Sequence, residues 1–211
     1  MGSLIHPDVL KSNSMKPILL FLSLTFSFLI SNCQDDYTRT MLEYQWNYKK
    51  ELCQIIQKDT AFVRFFPITL AYKLQANVRK LDGEPTFMMP TSSGMKKEAR
   101  KIAAVNFSID GKAYTLFAYQ LLSLKASAQY KDNFFIPFFD STSGDESYGG
   151  GRYLDFVLSD IINDKLVVDF NKAYNPYCAF RTGYNCPIPP RENGLKVAIR
   201  AGEKNFGKAN H

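Results

Sequence analysis

The second half of the chain carries charged, amide and phenol side chains whose types could bind a small polar molecule. An arginine fork can hold a carboxylate or a phosphate through two hydrogen bonds. A few convergent polar groups are typical of small-molecule sites. We predict that these side chains meet in one pocket for a polar or anionic ligand. The candidate residues are Arg152, Asp169, Asn171, Tyr174, Glu192 and Lys204.

The same residues also have a purely structural interpretation. Asp169 and Asn171 have short side chains that readily bond to nearby backbone, which is typical of a turn network. Arg152 could pair with Asp169 or Glu192 as a buried clasp. The glycines at 149–151, directly before Arg152, provide positions for positive φ or close approach of the backbone. The sequence does not decide whether these residues bind a ligand or form a structural scaffold.

Histidine is nearly absent from the chain, and this limits the chemistry. His6 precedes an apolar segment and His211 is the last residue. A Ser-His-Asp hydrolase, a Cys-His protease and a histidine-ligated metal site are therefore disfavoured, and we predict no metal and no cofactor.

Catalysis without histidine stays open, because two carboxylates with different pKa values can hydrolyse a glycosidic bond. The alternatives to ligand binding are therefore a carboxylate hydrolase acting on envelope glycan and a purely structural envelope domain. No motif selects a carboxylate pair. The candidates are Asp140, Asp145, Glu146, Asp169, Glu192 and Glu203.

An apolar run near the N-terminus predicts export from the cell. Residues 18–30 follow Lys16 and are too few for a membrane-spanning helix, which needs about 20 residues. A basic start, a short apolar centre and a polar end are typical of a secretory signal peptide, here residues 15–32 of a leader at 1–32.

Cys33 directly follows this leader, and the stretch before it resembles the lipobox of bacterial lipoproteins. The resemblance implies a lipid on Cys33 that anchors the protein to a bilayer. We therefore expect a bacterial cell-envelope location, periplasmic or at the outer-membrane surface, with plain secretion as the alternative.

The charge of the chain gives no indication of a nucleic-acid partner. The formal net charge is +6. The densest basic stretch, residues 95–101, contains an acid and no interleaved aromatic side chain. A nucleic-acid surface needs a broader basic stripe, so we interpret this stretch as solvated and expect no nucleic acid to bind.

Two of the four cysteines are spaced for a disulfide. Cys178 and Cys186 lie in one proline-rich loop, and an oxidising compartment favours their pairing. Two thiols without histidine would make a poor zinc site. Cys53, on a predicted helix, is expected to be a small buried apolar residue.

The elements that must position these groups are one helix and a set of short strands. Residues 38–58 mix apolar and polar side chains as an amphipathic helix does, with Trp46 as the expected packing anchor. Together, residues 33–58 form a predicted lipidated tether and helix.

Residues 59–211 are predicted to form one mainly β domain, an antiparallel sandwich or barrel-like fold. Apolar and polar residues alternate over 103–110, and Asp110-Gly111 predicts a hairpin turn. Pro137 places a strand at an edge or a bulge. Residues 195–200 are predicted as the last strand.

Three segments resemble DUF1684, a bacterial envelope family of unknown function. They are SGDESYGGGRYL at 143–154, DFNKAYNPYCAF at 169–180 and CPIPPRENGLKVAIRAGEK at 186–204. The resemblance covers roughly residues 60–206. It implies a shared structure and lends no established activity.

Overall fold

A computed structural model describes residues 16–208 and the side chains of residues 34–208. The described residues divide into two compact units, one that ends at Tyr37 and one that begins at Thr38. The predicted signal peptide, Cys33, His6 and His211 have no described side chain. Within the described residues, no helix combines the length and apolar character needed to cross a membrane.

The first element is the helix α1, Lys16–Ile56. In the second unit its buried face includes Met41, Leu52 and Ile56, which agrees with the predicted amphipathic helix. Two predictions about its side chains are wrong. Trp46 is 63 % exposed and Cys53 is exposed as well, because both side chains point away from the packed face.

A seven-stranded antiparallel sheet, curled into a half-barrel, forms the body of the second unit. The predicted mainly β class is therefore confirmed, in its barrel-like form. The sheet order is β6-β5-β4-β3-β1-β7, and β2 pairs with the first part of β3. The strands are β1 Lys73–Lys80, β2 Thr86–Pro90, β3 Lys96–Ile109, β4 Lys112–Leu121, β5 Asn133–Phe138, β6 Arg152–Val157 and β7 Lys165–Asp169. A short helix, α2 Leu122–Lys125, follows β4.

The predicted hairpin at Asp110-Gly111 joins β3 to β4. Both residues have positive φ, at 49° and 75°, as a two-residue turn of this kind requires. Pro137 was expected at an edge or a bulge, and the edge alternative is excluded because β5 lies between β4 and β6. Proline is tolerated there because β4 pairs with β5 at Tyr119–Phe135 and not at Pro137. The Pro137 carbonyl accepts a hydrogen bond from the Asn193 side chain instead.

The main core lies inside the curl of the sheet, where Phe107, Leu116 and Ile136 are buried. The segment predicted as the last strand does not pair as one. It runs through this core instead, and its Leu195 and Ile199 side chains are buried among the strands. A segment without ladder partners needs other hydrogen bonds for its carbonyl groups, and an arginine provides several of them.

Candidate functional site

Arg152 opens β6 and is completely buried. Its Nη2 donates to Asp140 Oδ1 at 3.2 Å and to the Ile199 carbonyl at 2.8 Å. Its Nη1 donates to the carbonyls of Ala201 and Glu203. The guanidinium therefore satisfies three backbone carbonyls of the irregular C-terminal segment. This is the geometry of a scaffold clasp, and Arg152 presents no surface to a ligand.

The acidic partner of Arg152 is Asp140, whereas the sequence suggested Asp169 or Glu192. Both side chains of the ion pair are fully buried. Asp140 also accepts the Ile199 amide at 2.6 Å and the Thr142 hydroxyl at 2.9 Å through Oδ2. A buried charge pair of this kind is stable when the remaining hydrogen-bonding positions are filled, as they are on this carboxylate.

Asp169 and Asn171 form a second, separate arrangement at the end of β7. Asp169 Oδ1 accepts the Asn171 amide at 3.1 Å and the Asn171 Nδ2 at 2.9 Å. Asn171 in turn accepts the Thr69 amide and donates to the Thr69 carbonyl. These contacts make a turn that clamps a distant backbone segment.

Glu192 lies apart from both arrangements, on the surface. It accepts hydrogen bonds from Lys101 Nζ, at 2.8 Å, and from the Tyr119 hydroxyl, at 2.5 Å. Burial opposes ionisation of this carboxyl, but Lys101 and Tyr119 outweigh that effect and lower its pKa. The glutamate therefore fixes a local contact between β3, β4 and the C-terminal segment.

Lys204 lies near the clasp without joining its hydrogen bonds. Its Nζ is 4.9 Å from the centre of the Phe66 ring. The guanidinium of Arg152 is 5.7 Å from the same ring. The two cations thus share one aromatic neighbour, a cation–π arrangement that stabilises both.

Glu203, one of the six carboxylates considered for hydrolysis, is buried. Its Oε2 accepts the Tyr48 hydroxyl at 2.9 Å and the Asn175 amide at 2.8 Å. Its Oε1 and the Asn175 Oδ1 are both buried acceptors without a hydrogen-bond donor among the described residues. Burial raises the pKa of Glu203 to about 8, so the protonated acid predominates at neutral pH.

Of the six predicted ligand-binding residues, Tyr174 is the one that borders the two hollows described below. Its backbone pairs with Tyr153 through two hydrogen bonds, of 2.9 and 3.1 Å. Alternate residues of a strand face opposite sides of a sheet. Arg152 and Leu154 therefore point to the core, and Tyr153 points to the cavity side.

Two adjoining hollows, here called the tyrosine recess, lie beside this part of β6. The larger measures about 400 Å³ and the smaller about 190 Å³. Both are bordered by Leu124, Tyr153, Tyr174 and Pro187. The larger hollow is also lined by Lys97, Pro176, Tyr177, Tyr184, Asn185 and Cys186. The smaller is also lined by Leu121, Asn133, Phe134, Phe135 and Asp155.

Asp155 is the acidic residue of the recess, two positions after Tyr153 on the same side of β6. Its Oδ2 accepts the Tyr174 hydroxyl at 2.7 Å. Asp155 is exposed at the surface, and the neighbouring protein atoms remove part of the water around its carboxyl group. This burial raises the pKa of Asp155, and the hydrogen bond from Tyr174 offsets part of the rise.

The recess is held in shape by contacts behind its walls. The predicted disulfide is present between Cys178 and Cys186, with a Cα–Cα distance of 6.3 Å. The Tyr153 hydroxyl donates to the Pro187 carbonyl. The rings of Tyr153 and Tyr174 pack edge to face at 5.8 Å. Walls fixed in this way do not have to be ordered by a ligand, which favours binding.

The predicted set is therefore distributed over several places. Arg152 and Lys204 lie around Phe66, Asp169 and Asn171 bond to each other, and Glu192 and Tyr174 lie elsewhere. Tyr153 and Asp155 are not among the residues predicted from the sequence. The sequence feature that could have indicated them is the alternation along 152–155, because it places Arg152 and Asp155 on opposite faces of one strand.

This fold and recess define a mainly β domain with a cavity walled by tyrosines. The family model described as "Protein of unknown function (DUF1684)" matches residues 59–204, and the chain belongs to this family. No curated protein matches the chain. A solution NMR structure of an uncharacterised protein from Haloarcula marismortui is similar in fold, with a TM-score of 0.57 and 24 % identity. The match covers 86 % of this chain and 95 % of the other.

Proposed function

We propose that this protein is a lipid-anchored domain of the bacterial cell envelope that binds a small organic molecule in the tyrosine recess. The observation that carries the proposal is the recess itself, which combines apolar walls with a few polar groups. Small-molecule sites have this composition, and their volumes begin at about 300 Å³. The larger hollow measures about 400 Å³.

The recess is a better site than the surroundings of Arg152. Arg152 donates to protein carbonyls and to Asp140, so its fork is already occupied. Tyr177, by contrast, is 45 % exposed at the recess. A ligand can therefore reach the tyrosines without breaking any part of the scaffold.

A binding function accounts for the recess better than glycan hydrolysis does. Acid–base hydrolysis uses two carboxyl groups on either side of one bond. Among the described residues that line the two hollows, Asp155 alone carries a carboxyl group, so the second group is lacking there. Asp140 and Glu203 are buried within the scaffold.

The ligand site can be tested by NMR on the full chain in detergent. Phenol, glucose, choline and inorganic phosphate are added as separate probes to ¹⁵N-labelled protein. We expect at least one organic probe to shift the amides of 153–155, 174–177 and 184–187. Shifts confined to other regions, or no shifts with any probe at millimolar concentration, would overturn the proposal.

A pair of exposed tyrosines provides the matched variants for this test. Tyr177→Ala removes a ring of the recess, and Tyr130→Ala removes a ring of similar exposure, 41 %, elsewhere. We expect the first variant to weaken binding of the responding probe and the second to leave it unchanged. Equal effects would show that the shifts do not come from a site at the recess.

The anchor is tested separately in a bacterial host. Cells expressing the full chain or Cys33→Ala are fed a radiolabelled or clickable fatty acid and then fractionated. We expect label and membrane association with the full chain, and neither with the variant. A full chain without label would remove the anchor from the proposal and leave the recess unaffected.

A further inference from the structure

We propose that the ligand of the tyrosine recess is an organic cation whose substituted ammonium group lies against the Asp155 carboxylate. This inference rests on the proposed function, because it names the chemical class of the molecule that the recess binds. The inference goes beyond the proposed function because it assigns an electrostatic role to Asp155.

The first argument is that the carboxylate has no cationic partner in the protein. Asp155 accepts the Tyr174 hydroxyl. Among the described residues, no lysine or arginine lies within ion-pair distance of it. Asp155 is exposed, so its carboxylate can pair with a charged group that enters the smaller hollow. A positively charged ligand would give this carboxylate a cationic partner that the described residues do not provide.

The second argument is the aromatic surface next to that carboxylate. Tyr153 and Tyr174 border the smaller hollow, and their rings meet edge to face at 5.8 Å. The face of an aromatic ring attracts a cation, and aromatic cages bind substituted ammonium groups for this reason. Apolar substituents on the nitrogen also match the apolar wall formed by Leu121, Leu124 and Phe135.

The third argument is the distribution of charge between the two hollows. Lys97 lines the larger hollow, whereas Asp155 lines the smaller one. A positive group is therefore repelled from the lysine end and attracted to the aspartate end. This asymmetry orients the ligand, with its ammonium in the smaller hollow and its uncharged or polar part in the larger.

Choline and its uncharged carbon isostere, in which a carbon replaces the ammonium nitrogen, give the decisive comparison. The two molecules have nearly the same shape and differ in charge. We expect choline to bind the full chain at least about tenfold more tightly in calorimetric or NMR titrations, because charge-assisted contacts are the stronger ones. Both titrations are followed at the amides of 153–155 and 174–177.

Asp155→Asn keeps the shape of the side chain and removes its charge. We expect it to abolish the preference for choline over the isostere. Asp82→Asn removes one negative charge from an exposed position outside the recess, and it should leave the preference unchanged. If Asp155→Asn does not fold, the comparison of the two ligands on the unmodified chain still decides the question.

The outcomes separate this inference from the proposed function. Equal binding of choline and its isostere at the recess would overturn the cation inference and keep the ligand site. A preference for choline that persists in Asp155→Asn would also overturn it. No response to choline, the isostere, phenol or glucose at the recess would overturn both proposals together.

Discussion

Glu203 and Tyr48 are 155 positions apart in the sequence, yet the Tyr48 hydroxyl donates to Glu203 Oε2 at 2.9 Å. This partly buried hydrogen bond joins α1 to the C-terminal segment. Glu203 also holds the Asn175 amide, next to the tyrosine of the recess. One carboxyl group therefore connects the helix, the C-terminal segment and the turn that leads into the recess wall.

The first prediction is that stability decreases as the pH rises through the titration of Glu203. Its pKa is 4.5 as an ordinary glutamate and about 8 in the folded protein. Between these values the folded state holds a proton that the unfolded state has lost. The free energy of unfolding should therefore fall by up to about 1.4 kcal/mol per pH unit from this group, as measured by urea unfolding.

Glu203→Gln is the control for this pH dependence, because its amide has nearly the same shape as the carboxyl group and does not titrate. The amide oxygen can accept from the Tyr48 hydroxyl and the Asn175 backbone amide as Oε2 does, and the side chain cannot ionise. We expect a flatter stability profile between pH 5 and about 8 and a variant more stable than the parent above that range. A profile as steep as that of the parent would mean that Glu203 does not carry the effect.

The second prediction concerns the buried clasp. Arg152→Met removes the guanidinium and leaves Asp140 charged and buried, so unfolding should become easier by about 3–5 kcal/mol. Arg200→Ala provides the comparison, since Arg200 is 59 % exposed in its ion pair with Glu146. Losing that surface pair should cost about 1 kcal/mol or less. Similar unfolding midpoints for the two variants in urea would contradict the role of Arg152.

The third prediction concerns the glycine directly before β6. Gly151 has φ +83°, and an added Cβ would lie 2.7 Å from the Phe138 carbonyl and 2.6 Å from Pro189 Cγ. Gly83 has φ +80° with open space around it. Gly83→Ala should therefore cost only the backbone strain, about 1–2 kcal/mol.

Gly151→Ala should cost the same strain and a further penalty for the clash, about 1–3 kcal/mol. Thermal unfolding of the two variants measures the difference. Equal melting temperatures would show that the contacts around Gly151 relax without cost, and that this tight approach does not fix the start of β6.

The fourth prediction concerns the disulfide beside the recess. Closing the loop between Cys178 and Cys186 restricts the unfolded chain, so removing both with Cys→Ala changes should lower stability by about 2–3 kcal/mol. Cys53→Ala is the matched control, because this thiol is free and exposed. A reducing agent should lower the melting temperature of the parent and leave that of the double variant unchanged.

Local patterns were sufficient for several features of the fold. The Asp110-Gly111 turn, the alternation along 103–110 and the amphipathic helix each depend on residues close in sequence, and each was predicted. The Cys178–Cys186 pair is equally local. The family segments were also recognisable, because the resemblance rests on continuous strings of residues.

The partners of the predicted polar residues depended on distant parts of the chain. Whether Arg152 meets a ligand or a carbonyl is decided by where residues 199–203 pass, and they enter the core without strand pairing. The partners of Glu192 are also distant in sequence, since Lys101 lies on β3 and Tyr119 on β4. A sequence pattern records residue types and cannot record which surfaces meet.

The sequence alone therefore determined the class of this protein: a mainly β domain of the DUF1684 family with a local disulfide and very little histidine. The tertiary structure alone decided which polar groups are scaffold and which face a cavity. The physical reason is the alternation of β6, where one step along the strand separates the buried Arg152 from Tyr153 at the recess. That assignment requires knowing which face of the sheet the core covers, and only the folded chain provides it.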